Sequence, residues 1–491
     1  MITGWLSLAR FGLWEVILSF VAISSYPAGW LTFWATRDVA RGKFVAKSAI
    51  FLNLALSFLG VGVYFAACLV TGSLSVTNYS AFLLAVLLVP LSYWGAAANA
   101  IAAGHRPSAF GYSILFAEVG KLVVAYPVLF VLKLEITGVI LAMMASYAIQ
   151  AVATTLLVRG ATKDPISLDV GRRWLRDSWV PATYSLAGAV LTADTVSAYL
   201  VSGAYVLSGY FQAAYQVGIL VSYAGFLSYA MYPLLLRGGS EDAPSATLDL
   251  ILMFGAPMAA GVIALAPTLL RVLSASLVAG GANVSLGLQV LAFAGLVSAV
   301  SSFSDSTLIG RERADLDPDK GFARYLKSAF WFVSAVNIGY AAGYLVSVTL
   351  IVYFGTASGL NISAIVTAWS VALLGFLVVA TAIKLRRLKG RVRLSLTWSL
   401  GWYFSLSALM ALLIYFISGW LLPPIADRFL LGFRTMGVVA IGAAFYFSLL
   451  LILDRRVRGM ALQFLEGSSV SRLGARRSEP PAPSAGQESP S

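Results

Sequence analysis

Apolar runs of about 20 residues recur along the chain, the length an α-helix needs to cross roughly 30 Å of hydrocarbon at about 1.5 Å per residue. Thirteen such runs are present, at residues 12–34, 46–70, 81–103, 109–132, 137–157, 180–201, 210–235, 248–270, 286–309, 328–354, 362–383, 398–421 and 436–453. The longest polar interruption before residue 301 is 159–179, RGATKDPISLDVGRRWLRDSW, which leaves five runs before it. The pattern predicts an all-α polytopic membrane protein. Residues 1–158 form an N-terminal bundle of five spans, 159–179 a cytoplasmic connector, 180–393 a bundle of six spans, and 394–466 two additional C-terminal spans with a basic end. Residues 467–491, rich in Ser, Pro and Gly, are expected to be a disordered cytoplasmic tail. Within the connector, GRRWLRDSW is amphipathic and basic, which suits a helix lying on the inner leaflet. Residues 1–11 are too short to span and lack the basic region that opens a signal peptide.

Composition supports this class: 59% of residues are apolar and 11% charged, against about a quarter charged in soluble domains. The net charge of +13 is explained by where the basic residues lie. With the loop after the first span placed inside, 28 of the 34 Lys and Arg fall in inner connectors or the tail. Positive residues follow the cytoplasmic side, so the N-terminus is expected outside, the tail inside, and nucleic acid is not a partner. Three Asn-x-Ser sequons, at Asn78, Asn283 and Asn361, fall in or beside loops this topology puts outside, consistent with an archaeal or eukaryotic surface.

Several chemistries are excluded. Cys68 lies in an apolar run and His105 in a polar turn, so no disulfide framework, metal site or cofactor is expected. No phosphate-binding GxxxxGK[ST] loop is present, hence no ATP engine within the chain. The main outer loops are short and hold no paired carboxylates, which argues against a membrane glycosyltransferase and against an enzyme generally. A transporter or flippase remains.

A charge within hydrocarbon is costly unless it faces a cavity or a partner, so ionisable residues inside spans are the candidates for function. Glu118 and Lys121, three apart on one face of the fourth span, either neutralise each other or present Lys121 to an anionic headgroup. Asp194 has hydroxyl neighbours at Thr192, Thr195 and Ser197 and no cation at helical spacing, which suits a proton or a desolvated Na+. Asn337 and Thr367 are candidates to add oxygens to that site. Gln212 and Gln216, one turn apart, form a cavity face or an interhelical pair. Arg37 and Arg237 end the first and seventh spans as topology anchors or headgroup ligands.

The first and seventh spans also look alike. GLWEVILSF at Gly12 and GYFQAAYQV at Gly209 both place a Glu or Gln after two bulky residues, and both spans continue to a proline, Pro27 and Pro233, then to an arginine. Repeats of this kind place a transport site between them. The seventh span has a partner ahead of it and the first does not, so the symmetry expects a further helix before the first span.

The stretches SGYFQAAYQVGILVSYAGFLSYAMYPLLLR, GAPMAAGVIALAPTLLRVL and WATRDVARGKFVAKSAI resemble the polysaccharide flippases of the multidrug/oligosaccharidyl-lipid/polysaccharide exporter superfamily. The resemblance implies two pseudo-symmetric six-helix bundles around a central cavity, often with two added C-terminal helices. It implies that a lipid-linked oligosaccharide of polyprenyl or dolichyl phosphate type is carried from the inner to the outer leaflet by alternating access. Membrane lipids are partners, with Na+ or H+ as coupling ion. Asp194 and Asn337 then lie on helices like those lining a cation site in some relatives. The alternative is a cation-coupled small-molecule or multidrug antiporter of the same superfamily; a basic cavity lining favours the first, an acidic one the second.

Overall fold

The computed structural model describes residues 6–71, 79–162, 165–236, 242–279, 283–312, 325–389, 392, 399–422, 427–455 and 457–459. All its regular elements are helices, and thirteen are long and apolar enough to cross a membrane. The first crossing, α1, runs Leu8–Ser25, breaks at Pro27 and resumes as Ala28–Ala40. It is followed by α2 (Ala46–Val70), α3 (Tyr79–His105), α4 (Pro107–Val131) and α5 (Glu135–Leu157). A short helix, α6 (Leu168–Arg176), precedes α7 (Trp179–Ser202), α8 (Tyr205–Leu236), α9 (Ala243–Leu273) and α10 (Ser285–Gly310). Then come α11 (Ala329–Ala357), α12 (Ile362–Lys389), α13 (Ser399–Leu421) and α14 (Arg428–Leu453).

Two boundaries differ from the sequence expectation in ways that matter. The first crossing extends at both ends, starting at Leu8 under a Ser7 cap and continuing to Ala40, so Arg37 lies inside a helix. α12 continues past residue 383 to Lys389, because a helix does not stop where hydropathy falls; Lys384 is therefore an interior residue of a helix. The tail at 467–491 and Arg237 lie outside the described residues.

α4 packs on α5, α1 and α2 on α3, α7 on α11, α10 on α12, and the pair α13 and α14 on α9. The first half meets the second through α1, which lies against α7 and α8. α1 and α8 are also irregular at mid-span: α1 breaks at Pro27, where the ring supplies no N–H and disrupts the ladder, and α8 tightens into a 3₁₀ stretch over Ile219–Phe226.

Buried apolar side chains fall into two clusters. One gathers Leu31, Trp34, Trp174, Leu235 and Leu388 at the end of the bundle where the basic residues concentrate and continues along α9, α13 and α14 as far as Leu422 and Leu431. The other gathers Phe11, Trp14, Phe82, Phe211 and Leu288 at the opposite end. Each cluster takes residues from both halves, so apolar packing joins the halves at either end and leaves the polar side chains of the middle around cavities.

Candidate functional site: a polar chamber between the halves

At the end away from the basic residues, α1 crosses α8 through Gly12 and Gly209, where the backbones touch. A side chain on Gly12 would collide with the carbonyl of Tyr205, and one on Gly209 with that of Leu8. Small residues permit such approach between membrane helices.

At the basic end the seal is polar. Arg37, fully buried on α1, donates from Nη1 to the Tyr232 hydroxyl (3.2 Å) and the Ile309 carbonyl (3.1 Å), and from Nη2 to the Glu312 carbonyl (2.9 Å). Its guanidinium also lies 5.1 Å from the Phe330 ring centre, a cation–π arrangement. Arg37 thus ties the first half to α8, α10 and α11.

Between the two seals lie two cavities of about 310 and 560 Å³ that share Tyr26, Leu191, Tyr215 and Tyr340. The smaller, nearer the glycine crossing, contains Asp194 and Glu15. Asp194 Oδ1 accepts from the Thr195 backbone N–H (2.6 Å) and hydroxyl (3.1 Å), and Oδ2 accepts from the Tyr344 hydroxyl (2.6 Å). Trp369 Nε1 donates to that tyrosine oxygen (2.7 Å), and Gln212 Nε2 donates to Thr195 Oγ1 (2.6 Å). Glu15, 4% exposed, lines the same cavity as Gln216. Neither Lys, Arg nor His lines this cavity among the described residues. Two carboxylates thus face one cavity of an apolar bundle, Asp194 held by neutral donors, an arrangement suited to a proton or a cation arriving from outside. Tyr26 on α1 shares a 2.7 Å hydrogen bond with Thr192 on α7 beside them.

The larger cavity contains an internally neutralised pair. Lys384 Nζ lies 2.8 Å from Asp305 Oδ1 and 3.0 Å from Oδ2, and donates to Ser301 Oγ (2.9 Å). Asn337 Nδ2 donates to Asp305 Oδ2 (3.2 Å). Nearly half of the cavity's lining residues carry a hydroxyl.

A third cavity, about 580 Å³, lies to the side among α1, α4, α5 and α8 and is mostly apolar, with Glu15, Lys121 and Gln216 as its charged or amide groups.

The sequence candidates are distributed as follows. Asp194, Gln212 and Gln216 come together around the smaller cavity. Asn337 bonds Asp305 in the larger one, and half-buried Thr367 lines none of the three cavities. Glu118 and Lys121 form an ion pair at 2.8 Å on α4, with the Glu118 side chain 59% exposed, and Lys121 borders the lateral cavity. Arg37 serves the basic-end seal. Glu15, Asp305 and Lys384 were not singled out from the sequence as site residues. Glu15 and Asp305 carry the signal that marked Asp194, a charge inside an apolar run; Lys384 was masked by the basic run KLRRLKGRVR that follows its span. Among the described residues no group of three His, Cys, Asp or Glu is placed to hold a metal.

This architecture occurs in solved transporters. A MATE crystal structure in the straight conformation superposes with a TM-score of 0.56 at 14% identity, over 78% of this chain and 88% of that one. The chain has the MATE transporter fold. An inward-facing multidrug resistance MATE family transporter of the MOP superfamily superposes at 0.53 with 11% identity, over 79% and 92% of the two chains. A MOP superfamily transporter from Pyrococcus furiosus, described by the reverse polarity of its binding pocket, superposes at 0.54 with 14% identity, over 78% and 91%. No family model and no curated protein matches the sequence. The MATE fold and the thirteen long apolar helices agree with a multi-pass membrane protein.

Proposed function

We propose that this protein is a cation-coupled antiporter that exports an organic cation by alternating access, with H+ or Na+ as the exchanged ion. The observation that carries this reading is the acidic lining. Glu15 and Asp194 face one cavity that no basic side chain lines among the described residues, and in the adjoining cavity Lys384 is already engaged by Asp305. An incoming cation and a proton or Na+ compete for the same carboxylates, which couples their movements without further machinery. Multidrug resistance transporters among the structural neighbours support the same class. The basic end is taken as the inner side on the charge rule.

The test is efflux from proteoliposomes loaded with ethidium, under an imposed proton or Na+ gradient of either sign. Gradient-driven efflux that inverts with the gradient is expected. Absence of ethidium movement, together with flipping of a fluorescent polyprenyl-phosphate-linked oligosaccharide, would replace this reading with the second one.

That second reading, a flippase for lipid-linked oligosaccharides, is favoured by one observation. The lateral cavity borders α4, whose apolar side chains are exposed along its length, and holds Lys121 as the one basic side chain among its described lining residues. In that case Lys121 meets a lipid phosphate while the isoprenoid stays in the bilayer. Lys121→Ala then weakens binding of the anionic lipid several-fold at low salt and less at moderate salt, measured by fluorescence polarisation.

A further inference from the structure

The polar segment that divides the chain folds into a docked platform at the basic end. Ser167 caps α6, accepting from the Val170 N–H (3.5 Å), and its own N–H donates to Ser48 Oγ (2.8 Å) on α2. One face of α6 is seated: Trp174 is buried in the basic-end core, and Gly171 lies so close to α2 that a Cβ would come within 2.7 Å of Leu52. Among the described residues the other side is exposed. Leu168 and Leu175 are 61% and 51% exposed, seven residues apart and therefore on one edge of the helix, with Arg172 between them and Arg176 beside them. Phe44, 80% exposed in the loop after α1, adds a further apolar group next to Lys43.

One carboxylate of α1 also ties this platform to the loop after α1. Asp38 Oδ2 accepts from Arg173 Nη2 (2.6 Å) and Trp174 Nε1 (3.0 Å), and Asp38 Oδ1 from Lys43 Nζ (2.8 Å). Asp38 is the residue after Arg37, whose guanidinium closes the same end of the chamber. Exposed leucines and a phenylalanine flanked by arginines, on the end of a membrane bundle, match the interface of a leaflet bearing anionic headgroups: the apolar groups enter the acyl boundary and the cations meet phosphates.

We propose that α6 and the loop after α1 bind anionic phospholipid, and that lipid phosphate, by drawing Arg173 and Lys43 from Asp38, loosens the Arg37 seal and opens the basic end of the chamber. The lipid acts as a regulator whatever the transported substrate, because its site and its lever are separate from the cavities.

The experiment uses the full chain carrying Cys68→Ala, with spin labels at His105→Cys on α3 and Arg386→Cys on α12, both exposed at the basic end of opposite halves. Distance distributions are recorded in nanodiscs of phosphatidylcholine with increasing phosphatidylglycerol. A longer-distance population that grows with phosphatidylglycerol is expected. In Arg172→Gln with Arg176→Gln, which leaves the contacts of Asp38 in place, the phosphatidylglycerol fraction needed for half the response should rise, each arginine contributing about fivefold to association. Asp38→Asn should show the long distance in phosphatidylcholine alone. Identical distributions in both lipids, or an unchanged response in the double variant, would overturn the proposal.

Discussion

Asp194 and Asp305 are both buried aspartates in apolar helices, and their environments differ in kind. Asp305 is compensated by Lys384 of the same protein, whereas Asp194 is compensated by hydroxyl and backbone donors and shares its cavity with Glu15. Their substitutions should separate accordingly. Asp194→Asn keeps the side-chain volume and removes the charge, so gradient-driven efflux should fall by about ten- to a hundredfold, the range for losing charge-assisted hydrogen bonds worth about 1.5–3 kcal/mol; transport that keeps its ion dependence would remove Asp194 from the coupling role. Glu15→Gln should act in the same direction. Lys384→Met leaves Asp305 without its counter-ion in the interior and should destabilise the protein by about 3–5 kcal/mol, while Lys384→Met with Asp305→Leu should recover most of that loss. Thermal denaturation in detergent distinguishes them, and equal melting of single and double variants would show that the pair is not coupled.

Among the helices, α1 and α8 carry the symmetry that the sequence hints at, with a mid-span irregularity in each and a contact at either end of the chamber. The glycine crossing and the Arg37 seal are different physical devices. The first depends on the absence of a side chain and resists any added atom; the second depends on directional hydrogen bonds that can be broken and remade. Gly12→Ala should therefore push α1 away from the Tyr205 carbonyl and hold the glycine end apart. With Ser19→Cys in the smaller cavity as reporter, in a Cys68→Ala background, labelling by a water-soluble maleimide should be faster in Gly12→Ala than in its parent. Equal labelling rates would mean that the crossing is not a gate. Arg37→Ala is expected to act on the other end, removing the guanidinium that donates to Tyr232 and to the carbonyls of Ile309 and Glu312.

On the scale of the whole molecule, a polar chamber lies between the glycine crossing at one end of the bundle and the contacts of Arg37 at the other. The acidic balance of the chamber sets the charge of the expected cargo, and the lateral cavity sets the question of a lipid tail. Both are answered by one comparison in proteoliposomes: cation efflux and lipid flipping measured on the same preparation, with Asp194→Asn and Lys121→Ala. Asp194→Asn should suppress the first assay and leave Lys121→Ala within about twofold of the parent, since an exposed ion pair on α4 contributes little to a buried cation site.

The sequence alone determined the class and the thirteen crossings, because both depend on local quantities: a run of apolar side chains long enough for the bilayer, and charges that interrupt it. Asp194 and the glutamines were legible for the same reason, as polar groups where hydrocarbon is expected. Only the tertiary structure decided which charges meet. Arg37 resembles a loop anchor in the sequence and becomes an interior seal because α1 continues past it and three carbonyl or hydroxyl oxygens of the other half converge on it. Lys384 resembles the start of a basic loop and instead neutralises Asp305, 79 residues away in the chain. Asn337 was expected beside Asp194 and instead bonds Asp305, since helix rotation, which apolar composition on all sides leaves undetermined, selects the cavity a side chain enters. Long-range pairing of charges in a membrane bundle is set by helix rotation and packing, and neither is written in hydropathy.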